Sequence, residues 1–385
     1  MDTLNQPSRS PDTEAGAGVE PDDRLQIKNY SIESLRERLP QLGIEPYRAD
    51  QIAGWLYGKG VEDPDRMTDL SNHVRGLLRD EWETRALHTE KVARSEDGTV
   101  KAVLRAHDGE LIESVLIPEP GRTTLCISTQ VGCPLACSFC ATGALGFRRN
   151  LSTAEIVDQV CRMREVLESG AEPTTRHDGN PITNIVFMGM GEPLLNLSSV
   201  LETIRLLVHP KAFGMAPRRV TVSTVGVVPR IEPLLRAAPV NLAVSLHATR
   251  DEVRDQLVPL NRRFPIRVLL DELRQLDCVT PRRPVFFEYT LIAGINDSLA
   301  DARRLVELLE GIPSKLNLIP MNPHSDSPHG PPDDAAVDRF LREVAGRGLF
   351  VSLRRSRGPD IDAACGQLAL RQVSEPVVAP HRAEA

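Results

Sequence analysis

The stretch from Thr123 to Gly143, TTLCISTQVGCPLACSFCATG, decides how this chain is read. It begins as a short apolar strand and then places Cys133, Cys137 and Cys140 within eight positions. A ligand-bearing loop directly after a strand is typical of β/α folds, whose active sites sit at the C-terminal strand ends. A structural zinc needs four protein ligands, and the histidines nearest in sequence, His107 and His177, lie outside the loop. Three structural thiols gathered by coincidence are a poorer reading still. An iron–sulfur cube held by three thiolates keeps one iron open for a small chelating molecule.

Downstream of the loop, strand-like and helix-like segments alternate. ITNIVFM, RRVTVST, NLAVSL, RPVFFEYTLI, KLNLIP and FVSLRRS are strand candidates, separated by amphipathic stretches such as STAEIVDQVCRMREVL and DARRLVELLEG. Repeated β-α units with apolar strands imply a parallel sheet covered by helices. Six or so units predict an incomplete (βα)6 TIM-like barrel. Ser152 or Thr153 is the expected N-cap of the first helix. Upstream, residues 98–118 read as two strands around an Asp108-Gly109 turn. Helical periodicity over 25–90 predicts a small helical accessory domain. The expected divisions are an acidic disordered tail (1–24), that domain (25–90), a β-hairpin extension (91–122), the partial barrel (123–372) and a flexible tail (373–385).

Composition narrows the function classes. No apolar run approaches the roughly 20 residues that span a bilayer, and the acidic, Pro/Gly-rich N-terminus is neither a signal nor a transit peptide. A cytoplasmic, reducing compartment is expected, where seven cysteines argue for metal or catalysis rather than a disulfide framework. Cys161 and Cys278 fall in helix-like segments and read as small buried hydrophobes. Residues 1–23 hold six acidic residues and one Arg, −5 of the net −7, so the remainder carries only −2. Arg148, Arg149, Arg354, Arg355 and Arg357 are then candidates for phosphate contacts, or an ordinary solvated surface. With 4% aromatic residues, extensive base stacking on rings is not expected.

Polar residues recur just after the strands. Gly191 and Glu192 follow the second, where the glycine allows close approach and the carboxylate can meet an ammonium; a Gly-Glu-Pro sequence is otherwise simply a turn. Ser223 ends the third strand, Ser245, Leu246 and His247 the fourth, and Asn322 follows the sixth. Singly these are capping residues; together they converge on one ligand.

CxxxCxxC after the first strand of a β/α barrel resembles the signature of the radical S-adenosylmethionine (SAM) superfamily. The resemblance implies one [4Fe-4S] cluster on Cys133, Cys137 and Cys140, with SAM on the open iron and reductive cleavage to a 5′-deoxyadenosyl radical. It also carries Gly191, Glu192, Ser223, Ser245, Leu246, His247 and Asn322 to SAM binding.

TLCIST (124–129), GMGEPL (189–194), VSLHA (244–248) and DIDAACGQL (360–368), with YRADQIAGWLYGKGVEDPDRMTDLS (47–71), resemble one family closely, the RlmN/Cfr-type RNA adenine methyltransferases. Carbon 2 of adenine lies between two nitrogens, is electron-poor and does not attack a methyl sulfonium, so a radical route is needed. The resemblance implies that Cys365 is methylated by one SAM and that a second SAM activates this methyl group. The carbon then joins the base. Cys126 aids proton removal and releases the product through a transient disulfide with Cys365. Glu113 matches the position of a proton acceptor, although a carboxylate in a strand-like segment also reads as surface. The implied substrates are 23S rRNA, at the peptidyl-transferase centre, and tRNA, at the adenosine 3′ to the anticodon. A cellular reductant, no membrane and a monomeric chain complete the expectation. Rival readings are a carbon-8 methyltransferase giving antibiotic resistance and a non-catalytic iron–sulfur RNA-binding or redox-sensing protein.

Overall fold

The computed structural model describes residues 25–169, 181–323 and 327–370. The expected tails and His177 lie outside them. The N-terminal part holds three short helices, α1 (Ile32–Arg38), α2 (Arg48–Ala53) and α3 (Asn72–Glu81). Ser31 and Ser71 start α1 and α3 by accepting the N–H of Ser34 and Val74, satisfying otherwise orphaned donors. Ile27, Leu35, Ile52, Leu56 and Trp82 form an apolar cluster that Val157, Cys161 and Leu206 of the following domain complete. These helices therefore share a core with the barrel.

Next come β1 (Leu87–Arg94), β2 (Val100–Ala106), β3 (Leu111–Glu119) and β4 (Arg122–Cys126), paired antiparallel in that order. β2 and β3 are the two strands expected around Asp108-Gly109. β1 begins inside the segment expected to be helical. It is the last strand of its sheet, so LHTEKVAR has few apolar positions and gives little strand signal.

From β4 onward the alternation is β/α: α4 (Thr153–Glu168), β5 (Asn184–Phe187), α5 (Leu197–Val208), β6 (Val220–Thr224), α6 (Ile231–Ala237) and β7 (Asn241–Ser245). Then follow α7 (Asp251–Leu257), α8 (Ile266–Gln275), β8 (Val285–Leu291), α9 (Leu299–Leu309), β9 (Ser314–Pro320), α10 (Asp334–Gly346) and β10 (Val351–Leu353). The ten strands lie in chain order across one sheet, parallel from β4 to β10. This is the incomplete barrel expected, with the short β10 added at its far edge. Ile185, Val222, Val244, Phe287 and Leu316 point to the helices and are inaccessible to solvent; their neighbours face the barrel interior. Ser152 caps α4 through a reciprocal capping box with Glu155. Among the described residues, no helix is long and apolar enough to cross a membrane.

Candidate active site

A cavity of about 160 Å³ opens at the C-terminal strand ends. Ten expected residues line it: Cys133, Cys137, Cys140, Gly191, Glu192, Ser223, Ser245, His247, Asn322 and Cys365. Backbone geometry makes the site possible at two glycines. A Cβ on Gly132 would lie 1.8 Å from the Gly146 carbonyl, and one on Gly191 (φ +98°) 2.6 Å from the Gln130 side chain.

The loop and the distant Cys365 segment are bound together. Ala141 N–H donates to the Gly366 carbonyl (2.7 Å), Thr142 Oγ1 to the Leu368 carbonyl (2.7 Å) and Asn322 Nδ2 to the Cys365 carbonyl (3.1 Å). Left-handed backbone at Asp362, Gly366 and Leu370 folds the segment over the cavity. The first two of these hydrogen bonds close more than two hundred residues of sequence separation; the third ties the segment to the end of β9, 43 positions away.

Three expected residues lie off the cavity wall. Leu246 is fully buried; strand alternation turns it away from its neighbours, and its N–H goes to the Glu288 carbonyl (3.0 Å). Its side chain therefore has no access to a cofactor, and only its backbone remains at the site. Cys126 is buried and sits opposite Val115 of β3. Glu113, on the same face two residues earlier, is fully buried rather than on the surface. Its carboxylate pairs with Lys101 Nζ (3.0 Å) and accepts the Leu370 N–H (3.2 Å).

Burial dominates the electrostatics. It pushes the Cys133 thiol up to about 12 and the Cys137 thiol well above its ordinary value. Cys126 rises for the same reason, with Cys365 adding to it. Cys365 borders the open cavity but is crowded by protein on its other sides; that burial, then Glu288, raises its thiol. Burial raises Glu192 to about 7, even though its carboxylate oxygens accept the Leu194 and Val225 N–H groups, each at 3.0 Å. Burial, then Arg254, lowers His247 to about 3, so its imidazole is neutral. Its Nδ1 accepts the Thr290 N–H (3.0 Å) and its ring meets Phe139 edge-on at 4.7 Å.

The thiols fit a polynuclear cluster better than one ion. Sulfur ligands of a single zinc lie about 4 Å apart. Among the described residues, the one set of three metal-capable groups within 4.8 Å of one another is Glu62, Asp158 and Cys161, not the loop cysteines. Cys133, Cys137 and Cys140 instead surround open space, and metal binding would hold as thiolates Cys133 and Cys137, which burial otherwise keeps protonated. The fold also brings His329 near, with Nε2 3.1 Å from Ser138 Oγ, a proximity hidden by sequence distance.

Two residues escaped the sequence reading. Glu288 lines the cavity at 5% exposure. Arg254, 1% exposed, donates to the carbonyls of Leu246 (2.9 Å), Val225 (2.6 Å) and Ser245 (3.0 Å) and to Asn261 Oδ1 (2.9 Å). It fixes two strand ends from behind the cavity wall. A charge inside the apolar run PVFFEYTL was the available signal for Glu288; Arg254 sits in VRDQLV, which reads as an ordinary solvated helix.

Of the candidate RNA contacts, Arg148 is 68% exposed and pairs with Glu110 at 2.7 Å. Arg354 and Arg355 are exposed. Arg357 lies 3.8 Å from Glu119. Arg149 is bound to Asp108 (2.6 Å) and Glu155 (2.9 Å), so its charge is largely committed inside the protein.

Comparison with known proteins agrees with this architecture. Residues 127–306 match the Radical SAM superfamily and residues 25–83 the Ribosomal RNA large subunit methyltransferase N-terminal domain. The dual-specificity RNA methyltransferase RlmN of Geobacter sulfurreducens is 47% identical over 347 residues, covering 90% of this chain and 92% of the relative. The protein of the same name from Syntrophobacter fumaroxidans is 45% identical over 342 residues, 89% and 97% of the two chains. A crystal structure of a radical SAM methyltransferase from Sphaerobacter thermophilus superposes with a TM-score of 0.83 at 42% identity, covering 89% of this chain and 99% of that one. With a shared N-terminal domain, a shared barrel and this identity along nearly its whole length, the chain belongs to the RlmN family of radical SAM RNA methyltransferases.

Proposed function

We propose that the protein methylates carbon 2 of an adenosine in 23S rRNA, at the peptidyl-transferase centre, and of the adenosine 3′ to the anticodon in tRNA. The observation that carries this reading is the juxtaposition of Cys365 with the three-cysteine loop across one cavity. When bound there, a [4Fe-4S] cluster and SAM supply a transferable methyl group and a one-electron route to an unactivated C–H bond.

The chain's own residues account for the rest. Cys133, Cys137 and Cys140 would hold the cluster, and Glu192, Ser223, Ser245, His247 and Asn322 would bind SAM. Neutral His247 offers an uncharged donor at Nε2, because Nδ1 already accepts. Cys365 would carry the methyl carbon to the base. The fixed backbone around Gly366 sets where that carbon is delivered, which is how orientation contributes to rate. Cys126, close enough to Cys365 to feel its charge, shares a sheet face with Glu113, and the two would handle the proton of carbon 2; Cys126 would then resolve the product from Cys365 as a disulfide. A raised thiol keeps Cys126 protonated until a neighbouring base demands otherwise. The base itself must leave its helix to enter the cavity.

A reducing cytoplasm with a dedicated reductant suits the disulfide step, and a monomer contains every residue invoked. Mass spectrometry of RNA digested after anaerobic incubation with SAM and reductant tests the assignment. 2-Methyladenosine is expected; 8-methyladenosine in its place, or no methylated base, overturns it. Cys126→Ala is expected to accumulate a covalent RNA–protein adduct, whereas Cys365→Ala forms none and no product.

A further inference from the structure

The reaction as read requires a thiol to lose a proton before the radical stage begins. Cys365 attacks a methyl group as sulfur, yet its S–H proton has no assigned destination. The groups facing the cavity restrict the choice. Glu192 lines it, but both carboxylate oxygens already accept backbone N–H groups. His247 lines it, but as neutral imidazole with Nδ1 accepting it presents an N–H at Nε2, which cannot take a proton. Glu113 is paired with Lys101 beyond the cavity wall, on the sheet face of Cys126, and serves the carbon-2 proton in the reading above.

Glu288 is differently placed. Strand alternation turns Glu288 and Thr290 of β8 inward, and both line the cavity with Cys365. Register continues the polar layer sideways: Ser245 pairs with Glu288, Glu288 with Asn317 and Asn317 with Ser352. Ser352 Oγ donates to Asn317 Oδ1 (2.7 Å), and Asn317 Nδ2 donates to Glu288 Oε1 (2.8 Å). That relay fixes the carboxylate by one oxygen. Oε2 has no hydrogen-bond partner among the described residues.

We propose that Glu288 is the proton acceptor for Cys365 when that thiol takes its methyl group from SAM. The inference rests on the reading of Cys365 as the methyl carrier. The Cys365 S–C bond forms as the sulfonium S–CH3 bond breaks, the bonding pair of the latter staying on the S-adenosylhomocysteine sulfur. The thiol proton passes to Glu288 Oε2, and no electron enters or leaves. Burial of the carboxyl raises its proton affinity, with Arg354 and then Asn317 opposing without cancelling it, so the net change is in the direction a proton acceptor for a thiol needs; Arg354 also favours the Cys365 thiolate.

The test follows the methyl mark on the protein rather than on RNA. Purified enzyme carrying its cluster, freed of the methyl mark by turnover with RNA, is mixed with SAM alone, and the mass of the peptide containing Cys365 is recorded against time and pH. Glu288→Gln keeps shape and removes basicity. It is expected to slow S-methyl formation about 100-fold near neutrality, with the residual rate climbing as pH rises. Glu288→Asp should recover part of the rate. Iron per chain and SAM affinity, measured separately, should stay within about twofold of wild type on the same reasoning. A Glu288→Gln enzyme with the wild-type rate and pH profile overturns the proposal. So does a fall in iron content or SAM affinity that matches the loss in rate, because Glu288 would then be holding a cofactor. If wild type itself acquires no mark on Cys365, the methyl-carrier reading fails first and takes this one with it.

Discussion

Two buried polar regions of this molecule behave in opposite ways. One joins the N-terminal helices to α4. Lys28 and Arg162, both fully buried, meet Asp158 and Glu62, and Asp158 Oδ2 also accepts the N–H groups of Ala86 (2.9 Å) and Leu87 (2.8 Å). The other is the cavity, where no opposite charge offsets the burial of Glu192 and His247. Burial alone would neutralise Lys28, but Asp158, Cys161 and Glu62 together outweigh it and hold the ammonium above its ordinary range; Asp158 is held low in return. In the cavity burial wins, with Glu192 rising and His247 falling. The structural charge network thus favours the charged forms of Lys28 and Asp158, whereas the reactive region favours the neutral forms of Glu192 and His247.

The sharpest way to break this contrast is Asp158→Asn. It strands Lys28 and Arg162 with too little negative charge, and removing one partner of a buried network costs about 3–5 kcal/mol. Urea unfolding is expected to show that loss together with loosening of the N-terminal helices. A change below about 1 kcal/mol would mean the network behaves like a surface pair.

A second test uses pH. The Glu192 carboxyl has an ordinary value of 4.5 and reaches about 7 in the folded chain. Between those values the folded state binds more protons than the unfolded one, so this group's contribution to stability declines as pH rises from 4.5 to about 7. Asp158 works with the opposite sign: its contribution is present above the ordinary carboxylate range and lost as pH falls through its depressed pKa. Glu192→Gln in cluster-free protein should therefore gain on wild type by about 2–3 kcal/mol on going from pH 5 to pH 8. A difference that stays flat with pH would show that the cavity is wetter than its geometry implies.

The contrast also explains what could be read in advance. The barrel was legible because its strands are apolar runs separated by amphipathic segments. Most of the cavity was legible because strand ends identify their own residues: Ser223, Ser245, His247 and Asn322 needed only the position of each strand. Leu246 is turned by one step of strand alternation, so that its side chain is buried and only its backbone is at the site. For Glu113 the proton-acceptor and surface readings both stayed open, because nothing local shows that Lys101 and the Leu370 N–H cover it. The ion network was invisible for a similar reason. Lys28 in RLQIKNYS looks solvated, and its partners lie 34 and 130 positions away. Cys161 is buried as expected, yet beside Asp158 and Glu62 rather than in a purely apolar core. Long-range pairing is the part of a fold that local pattern does not encode.

The smallest predicted effect lies at the surface, where neither regime applies. Arg148 extends from the hairpin strand Phe147–Asn150, 68% exposed, with Glu110 at 2.7 Å. Water screens both charges, so Arg148→Ala should change stability by no more than about 0.5 kcal/mol. If the same guanidinium meets a phosphate when RNA binds, its removal should weaken binding evenly across sequences and reduce the salt slope of log affinity by about 1. Arg149→Ala should behave differently, because Arg149 is already held by Asp108 and Glu155 at the start of α4. It should lower thermal stability more than Arg148→Ala and leave the salt slope unchanged. Equal salt slopes in the two variants would show that RNA draws Arg149 out of its internal pair. The division between charges that hold the fold and charges that meet a ligand would then shift on binding.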